Sequence, residues 1–231
     1  MFFFENRAFR LSLGRGGEES LFCLIKSAMN LFPLFLKLSG RRILVVGAGT
    51  IAEEKIEGLL DTGAEIHVVA PNATPRIRSL AREKEIRWVS RRFQPADLKG
   101  ALLVVAATSS PALHKKIYRE AGRRGVLCNV VDDPPNCDFF YGSVVRRGAL
   151  QIAISTSGHS PALAQRLRKE LEQQFGPEYQ NWLDVLAKAR EKLFARKMDP
   201  AERKRLLHIL ASDEMFREFL REPAKEKLKR S

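Results

Sequence analysis

From Met29 to about residue 132, short aliphatic runs alternate with stretches that carry a helical apolar stripe, and beyond that point the pattern changes. Arg42-Ile43-Leu44-Val45-Val46, closed by Gly47, reads as a strand buried on both faces. Ile51, Ile56, Leu59 and Leu60 then share one helical stripe, and Gly63 stands where a left-handed stop is usual. Further strands are predicted over 66–70, 86–93, 101–107 and 126–132, with helices around 77–81 and over 113–122. Strands alternating with helices specify a parallel sheet with right-handed crossovers.

After Asp138 the chain reads differently. Ser143-Val144-Val145 and Leu150-Gln151-Ile152-Ala153-Ile154 flank Arg146-Arg147-Gly148-Ala149, which predicts a hairpin with a short loop. Leu150, Ile152 and Ile154 give the second strand one apolar face that needs a cover. Ser160-Pro161 starts a helix with stripe Leu163, Leu167 and Leu171. Trp182, Val185, Leu186, Ala189 and Leu193 mark a second helix, and Asp199-Pro200-Ala201-Glu202 a capping box. A last stripe is Met215, Phe216, Phe219 and Leu220, and residues 222–231 read as a charged, frayed end. Residues 1–28 have no clear period and read as an extension, a leader or a start placed too early. No internal repeat is visible.

Composition narrows the class. With 231 residues, 45% hydrophobic and 29% charged, the chain supports one large domain or two small ones and is not disordered as a whole. Its cysteines, Cys23, Cys128 and Cys137, are odd in number and form no C-x-x-C pair, against a disulfide scaffold or cysteine zinc site and for a reducing, cytoplasmic setting. The longest stretch free of charge, 148–165, holds serines, a histidine and a proline, so no membrane span is expected. Glu5, Arg7 and Arg10 break any signal peptide. The net charge of +13 is dispersed. It fits a solvated surface, nucleic acid or a polyanionic small substrate, and no aromatic-basic interleaving favours nucleic acid.

The sharpest motif is Gly47-Ala48-Gly49-Thr50-Ile51-Ala52, a G-x-G-x-x-A turn between strand and helix. Gly47 permits the turn, Gly49 lets backbone approach a pyrophosphate, Ala52 packs helix on strand, and the helix N-terminus offers N–H groups. The fold class that follows is α/β, a Rossmann-like parallel sheet binding a dinucleotide. The acidic residue expected at the end of the second strand is missing: that strand ends Val69-Ala70-Pro71-Asn72, with Arg76 and Arg78 nearby, so NAD and NADP both stay open. Thr108, Asn129 and Asp132 close the fourth and fifth strands and are expected at the same crevice. A carboxylate there serves as general base when a hydride leaves; alternatively, Asp132 or Asp133 caps the Pro134-Pro135 turn. Of the histidines, His67, His114 and His208 sit in strand or helix, while His159 lies in a serine-rich loop and is a candidate ligand contact. No metal-ligand cluster and no G-x-S-x-G elbow occurs, so neither a resident metal nor a serine hydrolase is expected.

Four segments in order, Asn30 to Leu36, Val45 to Lys55, Cys128 to Asp133 and Ile154 to Leu171, together resemble the precorrin-2 dehydrogenase / sirohydrochlorin ferrochelatase family, including the N-terminal part of siroheme synthase. The resemblance implies NAD-dependent oxidation of precorrin-2 to sirohydrochlorin, with ferrous iron (Fe2+) insertion as a further activity in some members. It implies a homodimer built through residues 142–172, after a Rossmann domain over 29–141 and before a helical domain over 173–231. By motif, Asp132 matches the family's essential aspartate, and Thr50, Ile51, Pro71 and Asn72 match positions that touch NAD. Arg146, Arg147 and Arg166 are expected at the carboxylates of the tetrapyrrole, with Asn129, Ser157 and His159 as further substrate contacts. His159 and Tyr141-Gly142 depart from the common family pattern. No methyltransferase domain is read in this sequence, so methylation is not expected. A non-catalytic module that senses NAD is the alternative.

Overall fold

A computed structural model describes residues 31–221; the extension 1–28 and the charged end 222–231 lie outside them. The chain divides into two units, Pro33–Tyr141 and the described residues from Gly142 onward.

In the first unit five strands, β1 (Arg42–Val46), β2 (Glu65–Val69), β3 (Arg87–Val89), β4 (Ala101–Ala106) and β5 (Leu127–Val130), form a parallel sheet in the order β3-β2-β1-β4-β5. Helices α1 (Thr50–Leu60), α2 (Pro75–Arg82) and α3 (Pro111–Gly122) are the crossovers. Alternation along β1 divides the core, because successive side chains face opposite sides. Ile43 and Val45 join Ile66, Val68, Leu103 and Val105 under Ala52, Ile56 and Leu59 of α1 and Ile77 and Leu80 of α2. Leu44 and Val46 join Val104, Ala106, Cys128 and Val130 under Ile117 and Ala121 of α3. Each fully buried aliphatic side chain contributes roughly 1.5–3 kcal/mol. The strand order reverses between β1 and β4, and the C-terminal ends of those two strands open a crevice.

Two strands are shorter than the apolar runs predict. β3 stops at Val89, where the Arg91 N–H folds back onto the Val89 carbonyl (2.9 Å). Arg91 then grips Asp97 through both guanidinium nitrogens (2.8 and 2.5 Å), and Phe93 enters the core from outside the sheet beside a 3-10 turn, Pro95–Leu98. β5 stops at Val130, because Asp133 N–H bonds back to its carbonyl (3.3 Å) and Asp132 adopts a left-handed conformation (φ +59°).

The second unit opens with an antiparallel hairpin, β6 (Ser143–Arg147) and β7 (Leu150–Ile154). Its loop is only Gly148-Ala149, with φ +57° at Gly148, as a type II′ turn requires; Arg146 and Arg147 belong to the strand. Helices α4 (Pro161–Gln174) and α5 (Glu178–Ala195) pack on the hairpin and cover its apolar face. The buried position on α4 is Ala164, whereas Leu163 is exposed, so the stripe is rotated from the one the leucines predict. Helices α6 (Pro200–Leu210) and α7 (Asp213–Arg221) complete the unit. Asp199 caps α6 by accepting from the N–H groups of Ala201 and Glu202 (2.9 and 3.0 Å). Phe175, Tyr179, Trp182, Phe216 and Phe219 form an aromatic core with neighbouring ring centroids 4.6–6.4 Å apart. Among the described residues, no helix is long and apolar enough to cross a membrane.

Candidate functional site

Gly47, Gly49, Thr50, Ile51, Pro71, Asn72, Thr108, Asn129 and Asp132 all lie at or just beyond the C-terminal ends of β1, β2, β4 and β5. The two motif glycines do different jobs there. Gly47 has φ +109°, and a Cβ on it would stand 2.0 Å from the Ala107 carbonyl oxygen and 3.4 Å from the Thr108 methyl. It is therefore required by the fold, which brings β4 against the turn through Ala107 N–H to Val46 (2.8 Å) and ties the turn to β2 through Gly47 N–H to Val69 (3.0 Å). Gly49 has extended backbone, and a Cβ on it would meet nothing within 4 Å. It is the N-cap of α1 and supplies no side-chain cap, so the first-turn N–H groups of Thr50 and Ile51 point outward without an internal acceptor. Ile51 keeps 46% of its surface exposed beside them. Open backbone donors at a helix N-terminus next to an exposed apolar side chain suit a ligand that carries both phosphate and a flat ring.

The loop after β2 is tied down from three sides. Trp88 Nε1 donates to Ala70 (3.0 Å), the Ser90 hydroxyl to Pro71 (2.8 Å), and Thr74 N–H to Ala48 (3.0 Å). The Thr74 hydroxyl donates to the Glu53 carboxylate and accepts from Ile77 N–H (3.3 Å), which caps α2. Pro71 and Asn72 are thereby held exposed beside the glycine turn. Glu53, Thr74, Trp88 and Ser90 escaped the sequence reading, because each acts through a backbone group or side chain remote in sequence.

Beyond β5, a strap over residues 137–139 follows the free edge of that strand. Asp138 N–H donates to Cys128 (2.7 Å), and Cys128 N–H returns a bond to the Asp138 carboxylate (2.9 Å). The Cys137 thiol accepts from Val130 N–H (3.2 Å) and donates to the Val130 carbonyl (3.1 Å), replacing the missing neighbour strand. Asn129 is buried and its amide donates to the Phe139 carbonyl (2.8 Å), so it holds the strap rather than facing the crevice as expected. Asp133 accepts from the Asn136 amide (2.7 Å) within the Pro134-Pro135 turn. Asp132 is exposed and has no side-chain partner among the described residues. Of the two carboxylates, Asp133 is the one used by the turn, and Asp132 is the one available for chemistry. Burial raises both thiols and pushes Cys128 up to about 12, so neither is a thiolate nucleophile at neutral pH.

The remaining candidates sit in the second unit. Arg147 donates from all three guanidinium nitrogens to the carbonyls of Phe175 (2.8 Å), Glu172 (2.9 Å) and Arg146 (2.8 Å), which caps the C-terminus of α4. That commitment removes it from the expected carboxylate contacts. Arg146 is exposed and free among the described residues, and Arg166 makes only an exposed i,i+4 pair with Glu170 (3.5 Å). Ser157 takes a left-handed turn conformation (φ +50°). His159 Nδ1 lies 2.9 Å from the Thr156 carbonyl, which can only accept. The proton of the neutral ring therefore sits on Nδ1, and Nε2 keeps a lone pair facing outward. Among the described residues, no three His, Cys, Asp or Glu side chains gather as a metal group. A groove of about 600 Å³, lined by His67, Lys84, Arg87 and Trp88 among others, follows the N-terminal halves of β2 and β3 and is separate from the crevice. Burial, with Arg42 and Arg87, holds His67 below its usual pKa.

Two family models match in tandem: an NAD(P)-binding model over residues 34–143 and the sirohaem biosynthesis protein central model over residues 147–174. The first contains the glycine turn and the whole crevice, so the cofactor here is a nicotinamide dinucleotide. Siroheme synthase 1 of Serratia proteamaculans is 42% identical over 144 residues, 62% of this chain and 30% of that protein. Siroheme synthase of Neisseria meningitidis is 36% identical over 177 residues, 77% of this chain and 37% of that one. The chain thus spans about a third of the length of these curated relatives. Among solved structures, SirC, precorrin-2 dehydrogenase, superposes with a TM-score of 0.70 and 28% identity, covering 80% of this chain and 91% of that one. Two adjoining family matches, together with the likeness to part of the siroheme synthases and the shared fold with SirC, precorrin-2 dehydrogenase, place this chain in the precorrin-2 dehydrogenase and siroheme synthase family.

Proposed function

We propose that this protein is an NAD-dependent dehydrogenase that converts precorrin-2 to sirohydrochlorin. The observation that carries the reading is the superposition on SirC, precorrin-2 dehydrogenase, over 91% of that chain. The conversion removes a hydride and a proton, and bound NAD supplies the hydride acceptor. The protein's own part is to bind, orient and take the proton. Thr50 and Ile51 N–H groups receive the pyrophosphate in the space left open over Gly49. Pro71 and Asn72, exposed beside the glycine turn, would hold the adenosine end of the dinucleotide, and Thr108 packs beside Gly47 at the adjoining strand end. The Asp132 carboxylate, without a partner among the described residues and just beyond the end of β5, accepts the proton at Oδ.

The substrate is a polycarboxylate tetrapyrrole, and the +13 charge of the chain favours its capture. In the second unit, Arg146 and Arg166, the latter only in an exposed pair with Glu170, are the cations this reading sets at the carboxylates, and Ser157 and His159 are its further substrate contacts. The hairpin strands β6 and β7 pair only with each other among the described residues, and the reading makes residues 142–172 the seat of a homodimer, between a nucleotide domain over 29–141 and a helical domain over 173–231. It includes a cytoplasmic location; insertion of ferrous iron into the product, with Fe2+ as substrate, is a separate activity that some family members add and that the same assay reads.

The test is anaerobic mixing with enzymatically generated precorrin-2 and NAD, following sirohydrochlorin and NADH spectroscopically. Stoichiometric formation of both supports the dehydrogenase. Tight NAD binding without turnover refutes it in favour of a sensing module. Adding Fe2+ afterwards reads insertion, and light scattering reads the dimer.

A further inference from the structure

The acidic residue that ordinarily selects NAD at the end of β2 is absent, and Arg76, the residue type that accommodates a 2′-phosphate, stands four positions beyond Asn72. On that local pattern alone the crevice invites NADP. The surroundings of Arg76 reverse that expectation. Glu53 and Glu57 lie four residues apart, on one face of α1, and each holds a residue at the start of α2: Glu53 the hydroxyl of Thr74, Glu57 the guanidinium of Arg76 (Nε to Oε1, 3.3 Å). Glu57 is two helical turns from the glycine turn, about 10 Å along the axis. Its pull therefore draws the Arg76 head back along α1 and away from the crevice mouth. Arg78 offers no replacement, since it faces the other flank of α2, on a groove shared with Arg82 and Trp88.

Resting on the dinucleotide reading of the crevice, we infer that Glu57 sets cofactor choice. By pairing with Arg76 it neutralises and withdraws the cation that follows the end of β2 most closely in sequence, and the site selects a dinucleotide with a free 2′-hydroxyl. Selectivity here comes from sequestering an arginine on the neighbouring helix, not from repulsion by an acid at the strand end. The pair is half-exposed, with side chains 46% and 51% accessible, so replacing it perturbs the fold little.

The test is calorimetric titration of the whole protein with NAD+ and with NADP+, which reads binding without turnover. The wild type is expected to prefer NAD+ by roughly tenfold or more, because a 2′-phosphate seated there gives up hydration with no cation to compensate it. Glu57→Gln should tighten NADP+ by about three- to fivefold, the worth of an exposed ion pair, and leave NAD+ within about twofold, and the gain should shrink at high salt. Glu57→Gln combined with Arg76→Gln should return NADP+ to its wild-type affinity, while Arg76→Gln alone should change neither nucleotide. An unchanged NADP+ affinity in Glu57→Gln, or a gain that survives loss of Arg76, overturns the inference and leaves NAD binding standing. A wild type that prefers NADP+ overturns it too. Failure to bind either nucleotide overturns the reading on which it rests.

Discussion

Gly49→Ala separates what the glycine turn does for the fold from what it does for the ligand. The backbone at Gly49 is extended (φ −84°, ψ −173°), a region open to alanine, and the added Cβ meets no protein atom within 4 Å. Alanine is a poorer N-cap than glycine by some tenths of a kcal/mol, but it removes about 0.4–1 kcal/mol of unfolded-state freedom. The net change in stability should stay within about 1 kcal/mol. Binding behaves otherwise, because the methyl occupies the space through which a pyrophosphate reaches the N–H groups of Thr50 and Ile51. Each charge-assisted bond is worth about 1.5–3 kcal/mol, so losing the equivalent of one to two gives about 3 kcal/mol, or roughly a hundredfold in Kd. Calorimetric titration with NAD+ reads that loss, and urea unfolding reads the stability. Gly47→Ala is the counterpart: with φ +109° and a Cβ 2.0 Å from the Ala107 oxygen, it should cost roughly 3 kcal/mol or more before any ligand is added. Wild-type NAD+ affinity in Gly49→Ala, or wild-type stability in Gly47→Ala, would refute this division of labour.

Asp132→Asn should keep the fold, because asparagine tolerates the left-handed conformation at this position, while turnover falls by roughly a hundredfold or more and NAD+ affinity is retained; a variant that turns over normally would show that the proton goes elsewhere. Asp97 is buried, and the Arg91 guanidinium, aided by the Gln94 N–H and Arg42, holds its carboxyl below the usual range against the opposing effect of burial. A depressed carboxyl contributes stability above about pH 4 and loses it as pH falls through the folded value. Asp97→Asn should therefore cost about 2 kcal/mol at neutral pH and flatten the acid limb, as pH-dependent urea melts would reveal. Arg147→Met should destabilise by about 2 kcal/mol by stripping the cap from α4, and Arg147→Lys should restore only part, since a single ammonium nitrogen cannot span the carbonyls that three separate guanidinium nitrogens reach; denaturation that matches wild type for both would return Arg147 to the list of substrate contacts.

What could be read from the sequence is what depends on neighbours along the chain. The β1 run, the Gly47-Ala48-Gly49 turn, the Ser160-Pro161 and Asp199-Pro200 helix starts and the β6–β7 hairpin each announce themselves within a few residues, because propensity, capping and turn chemistry act at that range. The placement of Gly49, Thr50, Asn72, Thr108 and Asp132 at one end of the sheet also follows from sequence, since parallel crossovers put every strand's carboxyl end on the same side.

Tertiary structure decided which polar groups remain free. Asn129, Arg147 and Asp133 look as available in the sequence as Asp132 and Arg146, yet their hydrogen bonds run to Phe139, to Phe175 and Glu172, and to Asn136. The 137–139 strap exists because β5 is an edge strand with unpaired backbone groups, which no periodicity encodes. The pairing of Glu57 with Arg76 requires α1 and the start of α2 to lie side by side on the sheet. Local sequence chose the elements and the chemistry on offer; burial and long-range hydrogen bonding determined which of those side chains are left for a ligand, because a polar group satisfied inside the fold has nothing further to give.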